Sequence, residues 1–93
     1  MVFSEWKLED YLNSPEDMAE YLNAVLETED EILIQDALGA VARARGMSAI
    51  AEDTGLSRES LYRALSSKGN PRVNTLTRVL GALGLVLRVA PAG

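Results

Sequence analysis

GMSAIAEDTGLSRESLYRAL, residues 46–65, is the stretch that decides the fold. Two short apolar-periodic segments flank Gly55, a residue type free to adopt the positive φ that a sharp turn between helices demands. Ala51 stands four residues before that glycine and Leu61 six after it, so a small side chain and a branched one meet where two steeply crossed helices touch. Ile50, Leu56, Ala64 and Leu65 supply the apolar contacts that bury the pair against the rest of the domain. The expectation is a helix-turn-helix.

Ser57 is the natural N-cap of the second helix, which then begins at Arg58 with Ser60 at the third position after the cap. With Leu61 and Leu65 facing inward, the outward set is Arg58, Glu59, Tyr62, Arg63 and Ser66. That set has the chemistry of a helix inserted in a DNA major groove. Arginine meets guanine O6 and N7, glutamate accepts from cytosine N4, and tyrosine touches a thymine methyl or a phosphate. Plainer roles exist for two of them: Glu59 complements the helix dipole, and Tyr62 packs. Ser67, Lys68, Asn70 and Arg72 follow in a donor-rich loop suited to gripping the flanking backbone. The candidate DNA-binding set is therefore Ser57, Arg58, Glu59, Ser60, Tyr62, Arg63, Ser66, Ser67, Lys68, Asn70 and Arg72. The competing reading is a helical hairpin in an interaction module that never contacts DNA, because alanine, glycine and leucine at these spacings also arise by chance.

Outward from this motif, a helix is expected over residues 15–27, with Ser14 as N-cap, Pro15 at the first helical position and Glu16 and Asp17 in the first turn. Met18, Tyr21, Leu22, Val25 and Leu26 form its apolar stripe. Thr28 and Glu31 fit a capping box for the next helix, which carries Ile32, Leu33, Leu38, Val41 and Ala42 and stops at Gly46. On the other side, Asn74 caps a helix with Leu76, Val79, Leu80 and Leu83 that ends near Gly84. Five helices result, an all-α fold. Leu85 to Val89 reads as a short β-strand whose edge would be unpaired within one chain, and the same strand of a second subunit would satisfy it.

The expected organisation is one domain over 1–93: an N-terminal arm at 1–13, an acidic helical pair at 14–45, the helix-turn-helix and following helix at 46–84, and the strand at 85–90. Charge divides along the same line. The net charge is −5, yet residues 1–45 carry eleven Asp and Glu against Lys7, Arg43 and Arg45, whereas residues 46–93 carry six cations against three acids. Phosphate contacts need Lys and Arg, and the second half has the surplus. The halves are expected to serve different partners.

Cysteine and histidine are both absent, which removes disulfides, Cys/His zinc sites, thiol nucleophiles and imidazole acid–base chemistry together. No catalytic residue, metal, cofactor or small-molecule substrate is expected. Glu29, Asp30 and Glu31 are explained as a solvated acidic first turn. No apolar run approaches the roughly 18 residues of a membrane span, and the first residues lack a signal peptide's charged and apolar regions, so the expected location is cytoplasmic and off the membrane.

With these residues in view, the chain resembles the addiction-module antidote family, a HigA-like branch of the Xre, lambda-repressor-like helix-turn-helix proteins. The resemblance rests on DYLNSPEDMAEYLNAVLE at 10–27 and ARGMSAIAEDTGLSRESLYRALSSKGNPRVNTLTRVLGALGL at 44–85. It implies a RelE/HigB-type toxin as protein partner, usually an RNA-cleaving protein encoded alongside, which this chain would neutralise. It also implies a homodimer that binds operator DNA and represses its own promoter. The acidic half then has a purpose, since toxins of this type tend to present basic surfaces. Trp6, Tyr11 and the acidic helices are candidates for that contact. A stand-alone Xre-type repressor is the rival reading within the same fold, and the neighbouring gene separates the two.

Overall fold

A computed structural model describes residues 8–92, with side chains from Asp10 onward. Six helical segments follow one another: α1 (Leu8–Tyr11), α2 (Pro15–Leu26), α3 (Glu31–Arg45), α4 (Met47–Thr54), α5 (Arg58–Ala64) and α6 (Val73–Ala82). The expected five are α2 to α6; the single turn α1 is an addition, lying in the stretch read as an arm. Phe3 and Trp6 lie outside the described residues. No described helix is long and apolar enough to cross a membrane.

Local chemistry starts and stops most of these helices. Ser14 Oγ accepts from the Asp17 N–H at 3.1 Å and Pro15 sits at the first helical position, as the sequence predicts. The second start differs. Asp30, not Thr28, is the N-cap of α3, its Oδ1 accepting from the N–H groups of Ile32 at 3.0 Å and Leu33 at 3.2 Å. Thr28 instead finishes α2, donating to the Val25 carbonyl at 2.6 Å. Both residue types cap well, and the competition is resolved at Glu29, whose φ of 57° turns the chain between them, so that α3 starts only after Asp30.

Gly46 ends α3 at φ 106°, and α6 ends in a Schellman pair in which Leu85 N–H donates to the Leu80 carbonyl at 2.8 Å and Gly84 N–H to that of Gly81 at 3.0 Å. The expected cap of α6 moves as well. Arg72 holds that position without a side-chain bond, and Asn74 lies inside the first turn.

The helix α3 is central and packs against α1, α2 and α4, while α6 closes on α4. Its buried face is Gln35, Leu38, Val41 and Ala42, with Ala37, Gly39 and Ala40 also buried. Ile32 and Leu33, expected in that stripe, are instead 67% and 48% exposed, because the face of α3 that packs on the core runs through Ile34, Leu38, Val41 and Ala42. In α2, Met18 and Leu22 are buried, Tyr21 and Val25 half-buried, and Leu26 exposed. The largest wholly buried side chains are Ile50, Leu61, Val41 and Val79, one from each of four helices, each contributing about 1.5–3 kcal/mol by removal from water.

Residues 85–92 adopt no regular secondary structure, and among the described residues there is no strand. A strand requires a ladder partner, and the expectation for 85–90 placed that partner in a second subunit. Val86 and Val89 are 78% and 97% exposed.

Candidate nucleic-acid interface

Two short helices, α4 and α5, pack on each other across a three-residue connection, 55–57. Gly55 takes φ 76° there, the left-handed conformation that L side chains adopt only at a cost, and its N–H returns to the Ala51 carbonyl at 2.9 Å. Leu61 is fully buried in the junction and Ala51 and Leu56 pack half-buried against the core, as the spacing around the glycine requires. Thr54, buried beside the turn, donates its hydroxyl to the Ile50 carbonyl at 2.7 Å and accepts the Leu56 N–H at 3.2 Å. The turn is thereby fixed from both sides.

Ser57 caps α5 as expected: its Oγ accepts the Ser60 N–H at 3.0 Å and donates to Ser60 Oγ at 2.9 Å. All eleven residues singled out in the sequence are exposed. Ser57 to Arg63 occupy the cap and body of α5, Ser66 lies just past its end, and Ser67, Lys68, Asn70 and Arg72 follow in the connection to α6. Arg58 and Tyr62, one turn apart, are drawn together: Arg58 Nη2 lies 3.3 Å from the Tyr62 hydroxyl, and its guanidinium carbon 5.8 Å from the ring centre. Ser66 turns its hydroxyl inward to the Arg63 carbonyl at 3.0 Å. Among the described residues, Glu59, Arg63, Lys68 and Arg72 make no side-chain hydrogen bond or ion pair within the chain. Four cations and one carboxylate thus stand on α5 and the loop after it, their heads in water.

Two long-range contacts that the sequence did not disclose hold this pair in place. Gln35 of α3 is buried, and its Nε2 donates to the carbonyls of Ala64 at 2.6 Å and Ser66 at 2.9 Å, satisfying two acceptors at the open end of α5. Arg78 of α6 does the same for α4, Nη2 donating to the Thr54 carbonyl at 2.8 Å. Close approach accompanies the first: a Cβ on Gly39 would lie 2.8 Å from the Leu65 carbonyl oxygen, so the α3 backbone passes against the end of α5 where only glycine fits. Partners 29 and 31 residues away leave no periodic trace in a sequence. Arg45 and Asp53 form an exposed ion pair at 3.4 Å between α3 and α4.

Among the described residues the regular structure of the chain is all helical, and it presents a short, capped, cation-bearing helix braced from behind. Comparison places it more closely. Residues 2–91 match the family model described as "probable addiction module antidote protein", and the chain belongs to that family. An uncharacterized protein of Haemophilus influenzae is 46% identical over 85 residues, covering 91% of this chain and 88% of the relative. No solved structure matches. Membership makes the chain a probable antidote of an addiction module, which points to a regulatory role and implies a toxin as partner.

Proposed function

We propose that this antidote is a HigA-like antitoxin that binds operator DNA as a homodimer through a lambda-repressor-like helix-turn-helix, α4 and α5, and represses its own promoter. The observation that carries the reading is the exposed face of α5, on which Arg58, Glu59, Tyr62 and Arg63 stand free of the core while Leu61 and Leu65 anchor the helix from beneath. Arg63 and Arg58 read base edges, and Lys68, Asn70 and Arg72 grip phosphates beside them. The partner neutralised is a RelE/HigB-type toxin, and the setting is the cytoplasm.

The N–H groups of Arg58 and Glu59, which the Ser57 cap leaves open, and the positive dipole end of α5 favour a nearby phosphate, which supports insertion of α5 by its N-terminal end. A homodimer would need its two copies of α5 about 34 Å apart, or a multiple of that, to meet successive major grooves. The segment at 85–90, with Val86, Leu87 and Val89 exposed, is the proposed seam, pairing as a strand with its symmetry mate. Mobility-shift titration with the DNA upstream of its own gene tests the reading. A retarded complex on that DNA at concentrations that leave a scrambled duplex free is expected; equal affinity for both would reject sequence-specific binding.

A further inference from the structure

The connection between α2 and α3 is a hydrogen-bonded corner flanked by exposed aliphatic and acidic side chains. Thr28 Oγ1 donates to the Val25 carbonyl at 2.6 Å and accepts the Asp30 N–H at 3.1 Å, and Asp30 Oδ1 accepts from Ile32 and Leu33. Four hydrogen bonds therefore fix the backbone on both sides of Glu29. Across this fixed corner stand three large aliphatic side chains that the fold does not bury: Leu26 at 48% exposure, Ile32 at 67% and Leu33 at 48%. Three such residues within eight positions, flanking one bend, are unlike the singly scattered exposed leucines of an ordinary surface. Glu27, Glu29 and Glu31 are exposed between them, and their carboxylates, unlike that of Asp30, take no part in holding the corner.

The charge pattern selects the occupant. From Leu8 to Ala42 the chain contains ten carboxylates and no lysine or arginine. DNA and anionic bilayers are repelled by such a face. A second copy would bring like charges together around the same apolar centre, so self-association there is disfavoured as well. What fits is a protein that rings an apolar patch with lysine and arginine: burial of the aliphatic centre supplies affinity, and the ionic rim supplies encounter rate and register. The corner's hydrogen bonds mean that little ordering remains to be done on binding.

We infer that the α2–α3 corner, with Leu26, Ile32 and Leu33 at its centre and Glu27, Glu29 and Glu31 at its rim, is the docking surface for a cationic protein. The inference rests on the antitoxin reading for its probe, the purified product of the neighbouring toxin gene. Calorimetric titration of that protein into the full chain is compared for wild type, for the double variant Ile32→Arg/Leu33→Arg and for the neutralised variant Glu27→Gln/Glu29→Gln/Glu31→Gln. Operator mobility shift is run on each. The arginine pair should weaken toxin binding by about a hundredfold or more, as loss of two central anchors does. The glutamine variant should weaken it by about tenfold and flatten its dependence on salt. Both should keep wild-type helicity and operator affinity. Unchanged toxin affinity in the two variants would overturn the docking surface while leaving the antitoxin reading intact. Failure of the wild-type chain to bind the toxin would remove both. Self-association of the wild type that the arginine pair abolishes would identify the occupant as a second copy and overturn the inference.

Discussion

The buried amide of Gln35 lies 2.6 Å from the Ala64 carbonyl and 2.9 Å from that of Ser66, so a side chain from the acidic half of the molecule closes the C-terminal end of the helix that carries the candidate DNA-binding face. One residue thus joins the two electrically opposite halves. Replacing it by leucine keeps most of the volume, leaves the Ala64 carbonyl without that donor and leaves Ser66 with the Gly69 N–H alone, which should cost about 1–3 kcal/mol in urea denaturation. Gln35→Glu should cost more at neutral pH, because it sets a carboxylate against two carbonyl oxygens. A glutamate variant as stable as wild type would show that the amide does not hold this helix end.

Two glycines of α3 and α6 should respond to alanine with opposite signs. In a helix, alanine normally gains about 1 kcal/mol over glycine. Gly81 lies in α6 with nothing within 4 Å of an added methyl, so Gly81→Ala should raise the melting temperature. Gly39 has the Leu65 carbonyl oxygen at 2.8 Å from the same added atom, and Gly39→Ala should lower stability by about 1–3 kcal/mol through overpacking. Thermal unfolding of the two variants side by side checks this. Stabilisation by both would mean that α3 and the end of α5 are not in close contact.

Arg78 is counted with the basic half by composition, yet its guanidinium is spent on the Thr54 carbonyl at the end of α4. Arg78→Met should therefore destabilise the fold by about 1–2 kcal/mol, whereas Arg58→Ala, at an exposed position beside Tyr62, should stay within about 0.5 kcal/mol of wild type. Chemical denaturation of both variants measures the contrast. Equal losses would contradict the separate roles assigned to the two arginines.

Lys68 lies in the loop after α5, and the proposed reading has it meet phosphate rather than a base. Lys68→Ala should weaken binding to operator and scrambled DNA alike and reduce the slope of log affinity against log salt by about one. Loss at a single base pair, seen by comparing substituted duplexes, would assign it to base readout instead.

What was legible in the sequence is what local chemistry decides. Ser14, Ser57, Gly46, Gly55 and Gly84 sit where a cap or a stop was expected, since each acts on backbone groups within a few residues of itself. Thr28 misled because Asp30, two residues on, is an equally good cap, and only the turn at Glu29 decides between them. Ile32 and Leu33 carry the right residue type for a core stripe, but Ile34 beside them is the one that packs on the core, and which face of α3 turns inward depends on the other helices. Gln35 was invisible for a stronger reason: its partners are carbonyls of α5, and main-chain acceptors have no signature in residue types. Arg58, Glu59, Tyr62 and Arg63 were readable as an exposed set because α5 turns Leu61 inward, whereas Ser67, Lys68, Asn70 and Arg72 were readable only as polar residues of a loop.

The most direct test of the account is the ratio of affinities for the chain's own upstream DNA and a scrambled duplex, measured by mobility shift for wild type and Arg63→Ala at one fixed salt concentration. Loss of a base contact should cost about 1–3 kcal/mol on the upstream DNA and leave scrambled binding nearly unchanged, so the ratio should fall by about 5- to 150-fold. An unchanged ratio for a folded Arg63→Ala chain would contradict the assignment of the α5 face to DNA reading.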